Sequence, residues 1–101
     1  MMTVSEITDR IRDFNEAREW RQYHTPKNLM LAIVRELGEL IECFRWKPDM
    51  PIKEQDKREE VASEIADVFI YLATLAYELE IDLEGAVLRK IEENEKRFPV
   101  V

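Results

Sequence analysis

Only two glycines, Gly38 and Gly85, and four prolines interrupt a chain of 101 residues, and nowhere do apolar and polar residues alternate over a strand's length. A sequence so poor in breakers and without period-two patterning predicts an all-α fold. Four main helices are expected, over about 4–18, 26–46, 56–79 and 82–97, forming a helical bundle completed by oligomerisation. Ser5 or Thr3 is placed to cap the first, Thr25 followed by Pro26 opens the second, and Asp82 caps the last. Pro48 and Pro51 break the chain between the second and third, and Pro99 stops the fourth.

Length sets one domain over 1–101. A formal charge of −7 and a pI near 4.8 argue against a partner bound through duplex phosphates, so no DNA or RNA polymer is expected. A nucleotide stays admissible, since a divalent cation offsets its charge. No apolar run approaches the ~20 residues that span a bilayer, so no membrane association is expected either. The lone Cys43 has no intramolecular disulfide partner, and the charged N-terminus (Glu6, Asp9, Arg10, Arg12, Asp13) lacks a signal peptide's apolar stretch. A cytoplasmic location follows as the expectation.

In the second helix Met30, Ile33, Val34, Leu37, Leu40, Ile41 and Phe44 read as an ordinary core seam. A second stripe, Leu29, Ala32, Glu36, Glu39 and Cys43, sets two glutamates within a nonpolar line. The third helix carries a seam of Val61, Ile65, Val68, Leu72, Leu75 and Leu79, with Ala62, Ala66, Phe69, Ile70, Ala73 and Ala76 on another side. Between them runs one polar stripe, Glu60, Glu64, Asp67, Tyr71, Thr74 and Glu78. A helix apolar on two sides in so small a chain has more surface than one subunit covers, which predicts a homo-oligomer built on helices two and three.

Glu36/Glu39 and Glu64/Asp67 share an i, i+3 spacing, so each pair points one way. Carboxylates flanked by apolar residues are costly to bury unless they are paired or bind metal. Four of them with no histidine nearby make a hard, all-oxygen site suited to Mg²⁺, with Mn²⁺ an acceptable substitute. Such a site positions a phosphate and a water for hydrolysis of a phosphoanhydride. A di-iron carboxylate bundle needs Glu-x-x-His motifs, and the only histidine, His24, lies outside both acidic helices. Lys90, Asn94 and Arg97 form a stripe on the last helix that could meet phosphates. Trp20 and Trp46, with Phe14, Tyr23 and His24, offer a stacking surface for a base. The competing class is a noncatalytic helical oligomerisation module, in which the acids form interhelical ion pairs and the aromatics anchor an interface.

Glu36-Leu-Gly-Glu39, then 24 residues, then Glu64-Ile-Ala-Asp67 resembles the ExxE…ExxD signature of the MazG-like all-α nucleoside triphosphate pyrophosphohydrolases, nearest their dCTP pyrophosphatase branch. The resemblance continues through the segment 20–28 (WRQYHTPKN), Phe44-Arg-Trp46, the segment 67–72, Lys90-Ile-Glu-Glu-Asn94 and Arg97-Phe-Pro99. It implies Mg²⁺-dependent cleavage of a (deoxy)nucleoside triphosphate, dCTP or a related or modified one, between the α and β phosphates. It also implies that Glu36, Glu39, Glu64 and Asp67 form the catalytic metal site. Lys90, Asn94, Tyr71 and Arg97 would then hold phosphates, and Trp20, His24, Trp46 and Asn28 would border the base. Dimers, or tetramers built as dimers of dimers, with sites near subunit interfaces, are the expected assembly. Ser63, Arg45 and Phe98 depart from the family pattern and bear on base preference more than on chemistry.

Overall fold

The computed structural model describes residues 1–45 and 55–100, the side chains of 55 and 56 apart. Among these residues there is no strand. The elements are α1 (Val4–Ala17), a short 3-10 helix (Trp20–Tyr23), α2 (Pro26–Glu42), α3 (Gln55–Glu78) and α4 (Leu83–Arg97).

The helix starts follow from side-chain chemistry. Thr3 and Glu6 close a reciprocal capping box, the Thr3 hydroxyl accepting from the Glu6 N–H at 3.1 Å and the Glu6 carboxylate from the Thr3 N–H at 3.2 Å. Thr25 caps α2 through the Asn28 N–H, with Pro26 in the first turn. Asp82 caps α4 through the Gly85 N–H, and a Cβ at Gly85 would collide with that capping carboxylate. At the other end of α4, Lys96 and Arg97 complement the helix dipole.

The ends depart from expectation in one place. α2 is regular only to Glu42, because Cys43, Phe44 and Arg45 each donate to the carbonyl three residues back, tightening the last turn. Trp46 and the stretch 47–54 lie outside the described residues. Two reversals use the left-handed backbone on non-glycine residues, Glu19 (φ 56°) before the 3-10 helix and Glu80 (φ 57°) after α3. At Glu80 the Ile81 N–H reaches the Ala76 carbonyl at 2.8 Å, a Schellman closure that stops α3.

α2 and α3 pack as an antiparallel pair, and α1 lies across α3. The core they enclose is thin: Leu29, Ile33, Cys43, Ala73 and Ala76, joined by the polar Asn15, Glu36 and Thr74. Asn15 locks α1 onto α3, its amide donating to the Thr74 hydroxyl at 3.2 Å and the Tyr77 hydroxyl at 2.7 Å, while Thr74 donates to the Ile70 carbonyl.

The expected core seam of α2 is only partly buried: Ile33 is in the core and Leu40 and Phe44 are half-buried. The helix is turned so that Leu29, Ile33, Glu36 and Cys43 face inward, and Met30, Val34, Leu37 and Ile41 remain exposed. Leu29, Glu36 and Cys43 of the stripe interrupted by acids join Ile33 in the core, while Ala32 is half-buried and Glu39 exposed. On α3 the positions Ile65, Leu72 and Leu79, seven apart, are exposed as well. The chain is correspondingly open. Its radius of gyration is 16.2 Å, against ~13 Å for a compact chain of this length. Its accessible surface of 8294 Å² exceeds the ~6,000 Å² expected for 12.1 kDa.

Candidate metal centre

Where α2 and α3 cross, Glu36 meets Glu64 and Asp67, with one carboxylate oxygen from each lying within 4.8 Å of the others. The i, i+3 spacing on α3 aims its two acids at one spot, and the inward turn of α2 brings Glu36 to meet them. Glu36 is buried and the other two are half-buried.

The hydrogen bonding of this group is incomplete. Glu36 Oε2 and Glu64 Oε2 are buried and have no hydrogen-bond partner. A buried carboxylate oxygen without a donor is costly, and two of them beside a third acid suit a hard divalent cation. The donor set is all oxygen, as Mg²⁺ or Mn²⁺ prefers. Glu36 Oε1 does have a partner, Arg35 Nη2 at 3.2 Å, and the same nitrogen lies 3.4 Å from the Tyr71 hydroxyl. That carboxylate holds the Arg35 guanidinium above its ordinary pKa, with Tyr71 acting in the same direction.

Glu39 does not join the group: its side chain is exposed one turn further along α2. Below it the buried Cys43 thiol is pushed up from its ordinary value of 9.0, first by burial and then by Glu60 and Glu64.

The aromatic residues gather at the other end of α2. Phe14, Trp20 and His24 form an edge-to-face ladder with centroid separations of 5.6 and 6.4 Å. Arg18 covers the free face of Phe14 at 3.6 Å. Arg21 fastens this turn to Glu78 of α3 at 3.3 Å. His24 Nδ1 is buried without a partner, while Asn28 spends its amide on the Tyr23 carbonyl at 3.0 Å. Trp46 lies outside the described residues.

Lys90, Asn94 and Arg97 are exposed on α4, which packs against α1 and α3. Lys90 pairs with Glu93 at 3.6 Å and Arg97 lies over Phe98. Among the described residues, no hydrogen bond or ion pair ties these three to the carboxylates. Arg35 and Asn15 are the residues that sequence reading missed. Asn15 follows Ile11 by four positions, a short amide on an apolar line. Arg35 directly precedes a buried acid, and adjacency on a helix gives no hint of contact.

The MazG-like family profile matches residues 31–101. Curated relatives are dCTP pyrophosphatase 1 of Bos taurus, 43% identical over 97% of this chain and 60% of its own length, and that of Homo sapiens, 41% identical over 96% and 59%. The chain thus spans about three-fifths of the curated relatives it matches. A solved structure of a pyrophosphatase from Archaeoglobus fulgidus DSM 4304 superposes with a TM-score of 0.81 at 40% identity, covering 99% of this chain and 95% of that one. With a paired-acid signature, an all-helical fold and these likenesses over nearly its whole length, the chain belongs to the MazG-like family.

Proposed function

We propose that this chain is a Mg²⁺-dependent nucleoside triphosphate pyrophosphohydrolase acting on dCTP or a related or modified deoxynucleoside triphosphate. The reading rests on the cluster of Glu36, Glu64 and Asp67, in which Glu36 and Glu64 each keep one buried oxygen without a hydrogen-bond partner, and the named relatives act on dCTP. Glu36, Glu64 and Asp67 would hold the cation, with Glu39 of the same signature, exposed one turn further along α2, as the proposed fourth acid. When bound, Mg²⁺ would offset the triphosphate's charge and favour attack at phosphorus.

Water attacks the α phosphorus, the bond from it to the bridging oxygen breaks, and the products are the nucleoside monophosphate and pyrophosphate. A carboxylate of the cluster takes the proton of the attacking water. Trp20 and His24 border the base, with Asn28 shaping the turn beside them, and Trp46, outside the described residues, is assigned to the base by the sequence resemblance alone. Tyr71, Lys90, Asn94 and Arg97 bind phosphates.

α4 presents its cations to solvent, and the open seams of α2 and α3 await cover, so a second copy of the chain completes the site. Mn²⁺ substitutes for Mg²⁺, and the unpaired thiol of Cys43 fits a reducing, cytoplasmic setting.

Incubation with dCTP and Mg²⁺ should yield dCMP and pyrophosphate on anion exchange, and Glu64→Gln should lower turnover by roughly a hundredfold or more. Release of orthophosphate, or undiminished turnover by Glu64→Gln, would refute the mechanism. The exposed seams also admit a noncatalytic oligomerisation module. That alternative predicts no change in melting temperature on adding Mg²⁺, whereas a bound cation at ten times its Kd adds about 1.4 kcal/mol.

A further inference from the structure

We infer that Arg35 is a positioning residue for the metal centre, holding one oxygen of Glu36 so that the other is presented as a ligand. The inference rests on the metal reading proposed above and concerns a residue outside the acidic signature.

Side chains adjacent in a helix point about 100° apart, so an i, i+1 ion pair is not a default of helix geometry in the way that i, i+3 and i, i+4 pairs are. Arg35 nevertheless folds back to place Nη2 3.2 Å from Glu36 Oε1. It does so because the same nitrogen finds a second acceptor on the facing helix, the Tyr71 hydroxyl at 3.4 Å. Tyr71 stands one turn beyond Asp67 on the polar stripe of α3. The guanidinium therefore ties the acid of α2 to α3 one turn beyond its own acids. Most of its side chain stays in solvent while the Glu36 carboxylate is buried.

This divides the two oxygens of Glu36. Oε1 has a donor, and Oε2 has none although it is buried. Without Arg35 the carboxylate is free to rotate, and either oxygen can turn toward whichever donor or water relieves its burial. Groups hydrogen-bonded behind a ligand fix its orientation, and their loss typically costs 10- to 100-fold in metal affinity.

The sign of the effect separates positioning from charge. Arg35 is a cation beside an acidic cation site, so removing its charge, taken alone, would strengthen metal binding. Loss of a positioning contact weakens it. The test is a titration of the full chain with Mn²⁺ alone, without nucleotide, followed by electron paramagnetic resonance of the free ion at constant ionic strength, with helicity checked by circular dichroism.

Arg35→Met should bind Mn²⁺ about tenfold or more weakly. Arg35→Gln, which keeps an amide donor without the charge, should recover most of that loss. Tyr71→Phe should weaken binding in the same direction, and any phosphate contact Tyr71 makes is silent in this assay. Equal or tighter binding by Arg35→Met, or no recovery by Arg35→Gln, overturns the inference while leaving the metal reading intact. A wild-type chain that binds no Mn²⁺ at millimolar concentration removes the metal reading itself, and this inference with it.

Discussion

The exposed apolar seam of α2 offers the strongest quantitative test of the proposed assembly. Ile41 is 68% exposed and Val34 62%, and with Met30 and Leu37 they line one side of the helix. Fully burying such a side chain stabilises by ~1.5–3 kcal/mol, so covering the exposed two-thirds of Ile41 contributes ~1–2 kcal/mol in each copy. Across a twofold axis the same residue counts twice, giving ~2–4 kcal/mol for Ile41→Asp even before the cost of burying the new carboxylate. At 1.4 kcal/mol per factor of ten, dissociation should strengthen by roughly 30- to 700-fold. Sedimentation velocity over a hundredfold range of concentration reads the effect directly. Wild type should sediment as an assembly, and Ile41→Asp as a lighter species with helicity intact, since the side chain contributes little to its own chain's core. A wild type that is monomeric throughout, or a variant that assembles as tightly as wild type, refutes the reasoning.

Asn15→Leu should lower stability by about 2–3 kcal/mol in urea denaturation, because two hydrogen bonds are lost and the Thr74 and Tyr77 hydroxyls are left against an apolar side chain. Pairing it with Thr74→Val in a double-mutant cycle should show strong coupling, and additive losses would count against a shared network. The raised thiol of Cys43 makes a prediction in pH. A folded-state pKa above the unfolded one gives stability that is full below the ordinary value of 9.0 and is lost as pH rises from there through the raised value. Urea midpoints from pH 7 to 10 should therefore fall more steeply for wild type than for Cys43→Ala, and parallel curves would remove the linkage.

The helices were legible because capping and breaking are local: Thr3, Thr25 and Asp82 act within four residues, and periodicity shows over one element. That Glu64 and Asp67 lie together was legible for the same reason, since i, i+3 spacing states a direction. Which side of α2 faces inward was not legible, because two apolar lines compete and the buried residues, Ile33 from one and Leu29, Glu36 and Cys43 from the other, are set by packing against α3. Arg35 escaped for a related reason. Its contact joins a sequence neighbour and a residue 36 positions away, and no periodicity encodes that combination. The exposed placement of Glu39 depends on the rotation of α2 as well.

The Arg21–Glu78 pair makes the two central helices into a calliper. From Thr25 to Glu36 along α2 is eleven residues, and from Asp67 to Glu78 along α3 is also eleven, about 17 Å on each arm. The arms run in opposite directions, and Arg21, in the turn that precedes α2, ties the start of that arm to Glu78, so the level at which Glu36 meets Asp67 depends on both lengths. Deleting one residue from either arm would draw its acid about 1.5 Å along the axis and swing it by about 100°. Substitutions within these arms are then a matter of degree, whereas a change in their length separates the acids from one another and from the aromatic turn.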